Sequence, residues 1–195
     1  MVLARAASRN AFDAELIALL RDAFTALSGD PSVRVVVLEG EGKTFCGGAG
    51  LCAVADAVVA EENTVFGFTE TKLGIIPAVI SPFVLPKIGV SHARRLFLTG
   101  ERFDTLRAQA IGLVHEVVHA DALDGTVDAI AAELATAGPS AIAAAKALIP
   151  AVRAASYEDS RALTARAIAK QRTSEEGQEG LRAFLERRAA SWAAR

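Results

Sequence analysis

The sequence predicts an α/β fold that gives way to a helical C-terminal region. Three observations predict it. Residues 33–38, VRVVVL, form a continuous β-branched run suited to a strand covered on both faces. From Asp13 to about Leu27, apolar residues recur at helical spacing. From Leu123 onward the chain reads almost wholly as helix.

Taken in order, residues 1–10 read as a strand and loop. Asp13 is placed to cap the first helix, and Leu16, Ile17, Leu19, Leu20, Ala23, Phe24 and Leu27 give it a wide apolar face. Gly29-Asp30-Pro31 ends it, and the β-branched run follows. Residues 40–44, GEGKT, invite comparison with a phosphate-binding loop. That motif needs a glycine five residues before Gly42, where Val37 stands, and a helix directly after Thr44; a polar turn fits instead.

Residues 45–51, FCGGAGL, open an Ala/Val-rich segment that runs to Ala60. Glycines ahead of a helix leave its first N–H groups bare and admit a ligand close to the backbone, as an anion or oxyanion site requires. Tight packing of helix on sheet uses the same glycines, and the local pattern does not choose between the two. In residues 64–77, TVFGFTETKLGIIP, a short β segment over 65–68 runs into a turn, and Glu70 lies three residues after Gly67 among apolar neighbours. A carboxylate in so apolar a run is either put to chemical use or serves as a rim or capping group, because burying charge is costly.

Residues 78–89 are mostly apolar and broken by Pro82 and Pro86. Ser91 caps a helix over 93–98 that Thr99-Gly100 stops, and Asp104 caps another reaching about Ile111. Residues 113–118 are strand-like. Helices are expected over 123–137, 140–148, 156–170 and 175–190, with breaks at Gly138-Pro139 and Pro150.

At 195 residues and 52% apolar content the chain can bury one sizeable core. Its 21 basic and 23 acidic residues nearly balance and form no basic stripe, which argues against a nucleic-acid partner. No run approaches the roughly eighteen apolar residues of a membrane span, and the N-terminal MVLARAASRN lacks a signal-peptide pattern. A cytoplasmic protein is expected. Cys46 and Cys52 lie six apart with none of His92, His115 or His119 near them in sequence, so they read as small buried thiols in a reducing compartment and no metal site is expected.

Several stretches together resemble the enoyl-CoA hydratase/isomerase (crotonase) superfamily over essentially the whole length. They are Arg9-Asn10-Ala11; VRVVVLEGEGKTFC with its Gly-rich continuation; Ala55-Asp56; FGFTETKLGIIP; Leu98-Thr99-Gly100-Glu101-Arg102; Ala110-Ile111-Gly112-Leu113-Val114; and residues 184–188. Residues 78–83, AVISPF, replace a Gly-rich continuation common in the family and look like the methylglutaconyl-CoA hydratase-like branch, which works on branched or carboxylated enoyl-CoA thioesters.

The resemblance implies a spiral of ββα units over residues 1–122, with residues 123–195 as a helical region for oligomerisation and a lid on the CoA pocket. It implies an acyl-CoA substrate with coenzyme A as part of it and no separate cofactor, two backbone N–H groups on the thioester oxygen, and a homotrimer or a dimer of trimers. Glu70 falls on the family's glutamate in the F-G-x-x-E phrase, as acid/base for water, and Gly47 on an oxyanion-donor position. Gly48, Ala49, Pro77, Ala7, Arg9, Phe184 and Arg187 take substrate- or CoA-binding positions. Arg187-Arg188 also suits a solvated helix end favoured by the helix dipole.

The sequence departs from the family in the middle. Two Gly-rich phrases, normally separated by a helix and a strand, are fused into residues 47–51, and both registers of the fused phrase choose Gly47. A second family glutamate position is Gly50 here. The expected function is hydration or dehydration of an α,β-unsaturated acyl-CoA. The alternatives are a non-catalytic or weakly active oligomer of the same fold, or a sister isomerase or hydrolase activity.

Overall fold

The computed structural model describes residues 1–42, 44–46 and 50–193. The chain divides into two compact units, residues 1–128 and 129–195.

In the first unit, β1 (Val2–Leu3) leads through a 3-10 turn, Ala6–Ser8, into α1 (Ala14–Ser28). Asp13 caps α1 as expected: its backbone is extended and its Oδ1 accepts from the Leu16 N–H at 2.9 Å. The Arg5 guanidinium grips the same carboxylate and holds it far below the usual carboxylate range. The apolar face of α1 is less covered than its width suggests. Leu16 is buried, whereas Ile17, Leu19 and Phe24 are exposed.

Residues 33–38 are not the doubly covered strand that their β-branched run predicts. Pairing is confined to β2 (Glu39–Gly40), which lies parallel to β1, and Val36 and Val37 are exposed. A strand requires a neighbour. The described residues between β2 and residue 58 supply only a turn and the short helix α2 (Gly50–Val54), so β-branched residues alone leave this segment extended but unpaired.

Next come β3 (Val59–Glu61), β4 (Val65–Gly67) and a second 3-10 turn, Glu70–Leu73. Helix α3 (Ser81–Thr99) begins ten residues before the expected Ser91 cap. Proline is tolerated in a helix's first turn, which accounts for Pro82, and the break is absorbed later by Gly89 at φ 76°, ψ 161°. Left-handed Gly100 stops α3. After β5 (Arg102–Asp104), Asp104 caps α4 (Thr105–Ala110) by accepting from the Arg107 N–H at 2.7 Å. Then follow β6 (Glu116–Val118), a short 3-10 turn and α5 (Leu123–Thr136). Parallel β3–β6 and antiparallel β4–β5 complete the pairing.

The core gathers between these pairs and α3. Phe66 sits opposite Phe103 across β4–β5, their rings stacked at 5.8 Å, and Phe68 meets Phe97 edge-on at 5.2 Å. Val84, Leu96, Leu113 and Val114 fill the space around them and are almost wholly buried.

In the second unit, α6 (Pro139–Ala154), α7 (Tyr157–Thr173) and α8 (Glu175–Leu185) follow α5, whose length contains the division between units. Pro150 does not break α6, which runs four residues past it. Ser156 and Ser174 cap α7 and α8, and Glu176 reaches from α8 to accept from the Ser140 and Ala141 N–H groups, both at 2.8 Å, at the start of α6. The last helix ends at Leu185 rather than near residue 190, because Arg187 turns left-handed at φ 53°. Among the described residues no single helix is long and apolar enough to cross a membrane.

Candidate active site

Glu70 is positioned from the core outward. Phe68 is buried and anchors the end of β4, so the chain must turn immediately after it. The 3-10 turn Glu70–Leu73 makes that turn and closes on left-handed Gly74, with the Ile75 N–H donating to the Glu70 carbonyl at 3.2 Å. The Thr71 hydroxyl donates to the Phe97 carbonyl at 2.8 Å and ties this turn to α3. Glu70 is half-buried, and its Oε2 is buried with no hydrogen-bond partner among the described residues. A carboxylate oxygen that has lost water and gained no donor is costly in the resting protein. It is also the arrangement expected where an incoming proton donor is meant to bind.

Downstream, Pro77 is buried and its carbonyl accepts from the Ser81 N–H at 3.1 Å, feeding the chain into α3. Ile80, one residue before α3, packs on Gly50 at the start of α2. A Cβ added at Gly50 would lie 2.7 Å from Ile80 Cγ2, so no side chain fits there unless Ile80 moves. The family's second glutamate position is therefore filled by a neighbour. At the other end of α2, Lys87 Nζ donates to the Cys52 and Ala55 carbonyls, both at 2.8 Å. Burial pushes the Cys52 thiol up to about 11, so it stays protonated at neutral pH and packs as a small apolar group. Gly47, Gly48 and Ala49 lie outside the described residues.

Ala7 and Arg9 are exposed on the turn after β1, with Arg9 left-handed at φ 55°. Beside them, Asn10 is wholly buried. Its Oδ1 accepts from the Arg5 N–H at 2.7 Å, and its Nδ2 donates to the carbonyls of Thr44 at 2.8 Å and Glu41 at 3.2 Å. Asn10 thus fastens the Ala7–Arg9 turn to the segment that enters the glycine phrase. Sequence reading gave it no role of its own; its one signal is that asparagine tolerates the left-handed backbone it adopts here, at φ 51°.

Phe184 and Arg187 belong to the second unit. Phe184 is exposed at the end of α8. The neighbouring Arg188 is committed to a bidentate pair with Glu179 at 2.6 and 2.9 Å and to Glu186 at 2.7 Å. That pairing holds the Glu179 carboxyl down at about 2. Arg187 is exposed and makes no ion pair among the described residues.

Comparison with known proteins agrees with this architecture. The enoyl-CoA hydratase/isomerase family model matches residues 1–53 and again 41–195. The chain belongs to the enoyl-CoA hydratase/isomerase family and has the crotonase fold. Its structure superposes on AtuE of Pseudomonas aeruginosa with a TM-score of 0.94 at 32% identity, covering 98% of this chain and 94% of that one. An enoyl-CoA hydratase from Shewanella pealeana superposes with a TM-score of 0.91 at 28% identity, over 96% and 89% of the two chains. A Thermus thermophilus protein provisionally named an enoyl-CoA hydratase is 29% identical, over 92% of this chain and 91% of its own length.

Residues 41–53 answer to the family model twice, as expected if two phrases have become one. The alignment with the Thermus protein has 230 positions yet spans 92% of these 195 residues, so about fifty positions of that relative have no counterpart here. The shortening is internal.

Proposed function

We propose that the protein hydrates and dehydrates α,β-unsaturated acyl-CoA thioesters, with branched or carboxylated acyl groups as the preferred class. The carrying observation is the buried, unpartnered Oε2 of Glu70 on the turn that follows β4. In the forward direction the Glu70 carboxylate takes a proton from water while the water oxygen bonds to the β-carbon. The electron pair of the double bond moves to the thioester oxygen, held by the Gly47 N–H, and gives an enolate. Glu70 then returns that proton to the α-carbon, which leaves a 3-hydroxyacyl-CoA. One carboxylate serves both transfers because the Gly50 position is closed by Ile80. Coenzyme A enters as part of the substrate, with Gly48, Ala49, Pro77, Ala7 and Arg9 of the first unit as its proposed contacts, and no separate cofactor takes part.

The test is loss of the conjugated enoyl-thioester absorbance, with wild type compared to Glu70→Gln. The amide keeps the shape but cannot accept a proton, and removing a general base costs about 10²–10⁴-fold in rate. CoA binding should be unchanged. A mutant as fast as wild type removes Glu70 from the mechanism.

The internal shortening favours a second reading, a slow or non-catalytic acyl-CoA-binding protein of the same fold. Losing one oxyanion donor costs about 10²–10³-fold. Calorimetry with acetyl-CoA separates the readings: binding without turnover supports the second, and no binding at millimolar ligand removes both.

A further inference from the structure

We infer that Lys87 is a positioning residue for the reaction proposed above, holding α2 in place against α3. Helix α2 is five residues long, too short to hold its own geometry, since a helix of one turn leaves most of its end groups without partners. Two contacts from one segment fix it. Ile80 occupies the space over Gly50 at its start, and Lys87 Nζ donates to the carbonyls of Cys52 and Ala55 at its end, each at 2.8 Å. The ammonium is half-buried, and burial lowers its pKa despite the opposing charge of Asp56.

The second helical stretch of α3, beyond the kink at Gly89, holds the turn that carries Glu70. Its Phe97 carbonyl accepts from Thr71, one residue after Glu70, at 2.8 Å. Lys87 and Phe97 stand on opposite sides of the kink at Gly89. Helix α3 is therefore the common support for α2, which continues directly from the glycine phrase, and for the turn that carries the acid/base. Lysine suits this task because a long flexible stem can carry three donors to two carbonyls at once.

The inference rests on the proposed hydration, so the test reads the clamp and the catalysis separately. Wild type, Lys87→Met and Lys87→Arg are compared by hydrogen exchange and by steady-state hydration of an enoyl-CoA. Lys87→Met should speed amide exchange in residues 50–56 and leave residues 65–73 unchanged. It should lower kcat about tenfold or more with KM within about twofold, since small misplacements of reacting groups are costly. Lys87→Arg, which keeps the charge and the donors, should restore both. Unchanged exchange over 50–56, or exchange raised throughout the first unit, overturns the clamp. Loosened exchange with kcat within about twofold of wild type overturns the catalytic role. A wild type without hydration overturns the function proposed above, and the clamp is then judged on exchange alone. Should Lys87→Met fail to fold, Lys87→Gln, shorter, uncharged and with two N–H donors in place of three, is expected to give intermediate exchange, and wild-type exchange in it overturns the inference.

Discussion

Thr105 shows how a single hydroxyl can set a turn. It is wholly buried, and its Oγ1 lies 3.1, 2.9 and 2.9 Å from the carbonyls of Glu61, Glu62 and Thr64, the bend between β3 and β4. That bend is what aims β4 toward Glu70. Thr105→Val keeps the shape but offers the three carbonyls no donor, and leaving buried acceptors unsatisfied costs about 1–3 kcal/mol. Urea unfolding should show the loss as a lower midpoint with an unchanged slope, and an unchanged midpoint would mean that water replaces the hydroxyl. The partly buried setting of Glu70 was legible in the sequence because an isolated carboxylate in an apolar run stands out. Thr105, Asn10 and Lys87 were not: each acts on backbone groups more than thirty positions away, and only Asn10, by its tolerance of a left-handed backbone, carries any local mark.

At the scale of elements, whatever depends on neighbours in sequence was readable. Asp13 and Asp104 cap the helices they were expected to cap, because a capping bond spans only three residues. The strand expected over 33–38 failed because pairing is decided by a distant partner. The β3–β6 joint is another distant pairing, and a histidine closes it. His115 donates its N–H to the Val58 carbonyl at 2.9 Å, and its Nδ1 accepts from the Val58 N–H at 2.9 Å. Burial, assisted by Lys87, lowers its pKa from the ordinary value of 6.5. The unfolded chain therefore takes up a proton at a pH where the folded one does not, so the contribution is complete above about pH 6.5 and is lost as pH falls from there to the lower pKa of the folded state. A His115→Gln variant should unfold with a flatter pH dependence between about pH 5 and 7 than wild type. Parallel curves would show that His115 takes up its proton at the same pH in the folded and unfolded states.

At the scale of the whole molecule, the second unit is built without a core of its own. Among its described residues only Gly138 and Ala183 are buried, whereas Ile149, Tyr157, Ile168, Phe184 and Leu185 are exposed. Between α6 and α7 runs an open groove of about 930 Å³, lined by small and apolar side chains such as Ala144, Ala145, Leu148, Ala165 and Ile168. Helices joined by caps and by Glu176, with so little apolar burial, have little to set against the entropy of ordering them. The expected remedy is burial against further copies of the chain, and a homotrimer or a dimer of trimers is the assembly proposed. Light scattering at micromolar concentration should then give a mass three or six times 20.3 kDa. Ile168→Glu, which places a charge in the groove, should lower that mass and the unfolding temperature together, because subunit contacts and second-unit stability are the same contacts. A wild type that scatters as a monomer while keeping a single sharp unfolding transition would refute the assembly and show that the four C-terminal helices hold together unaided.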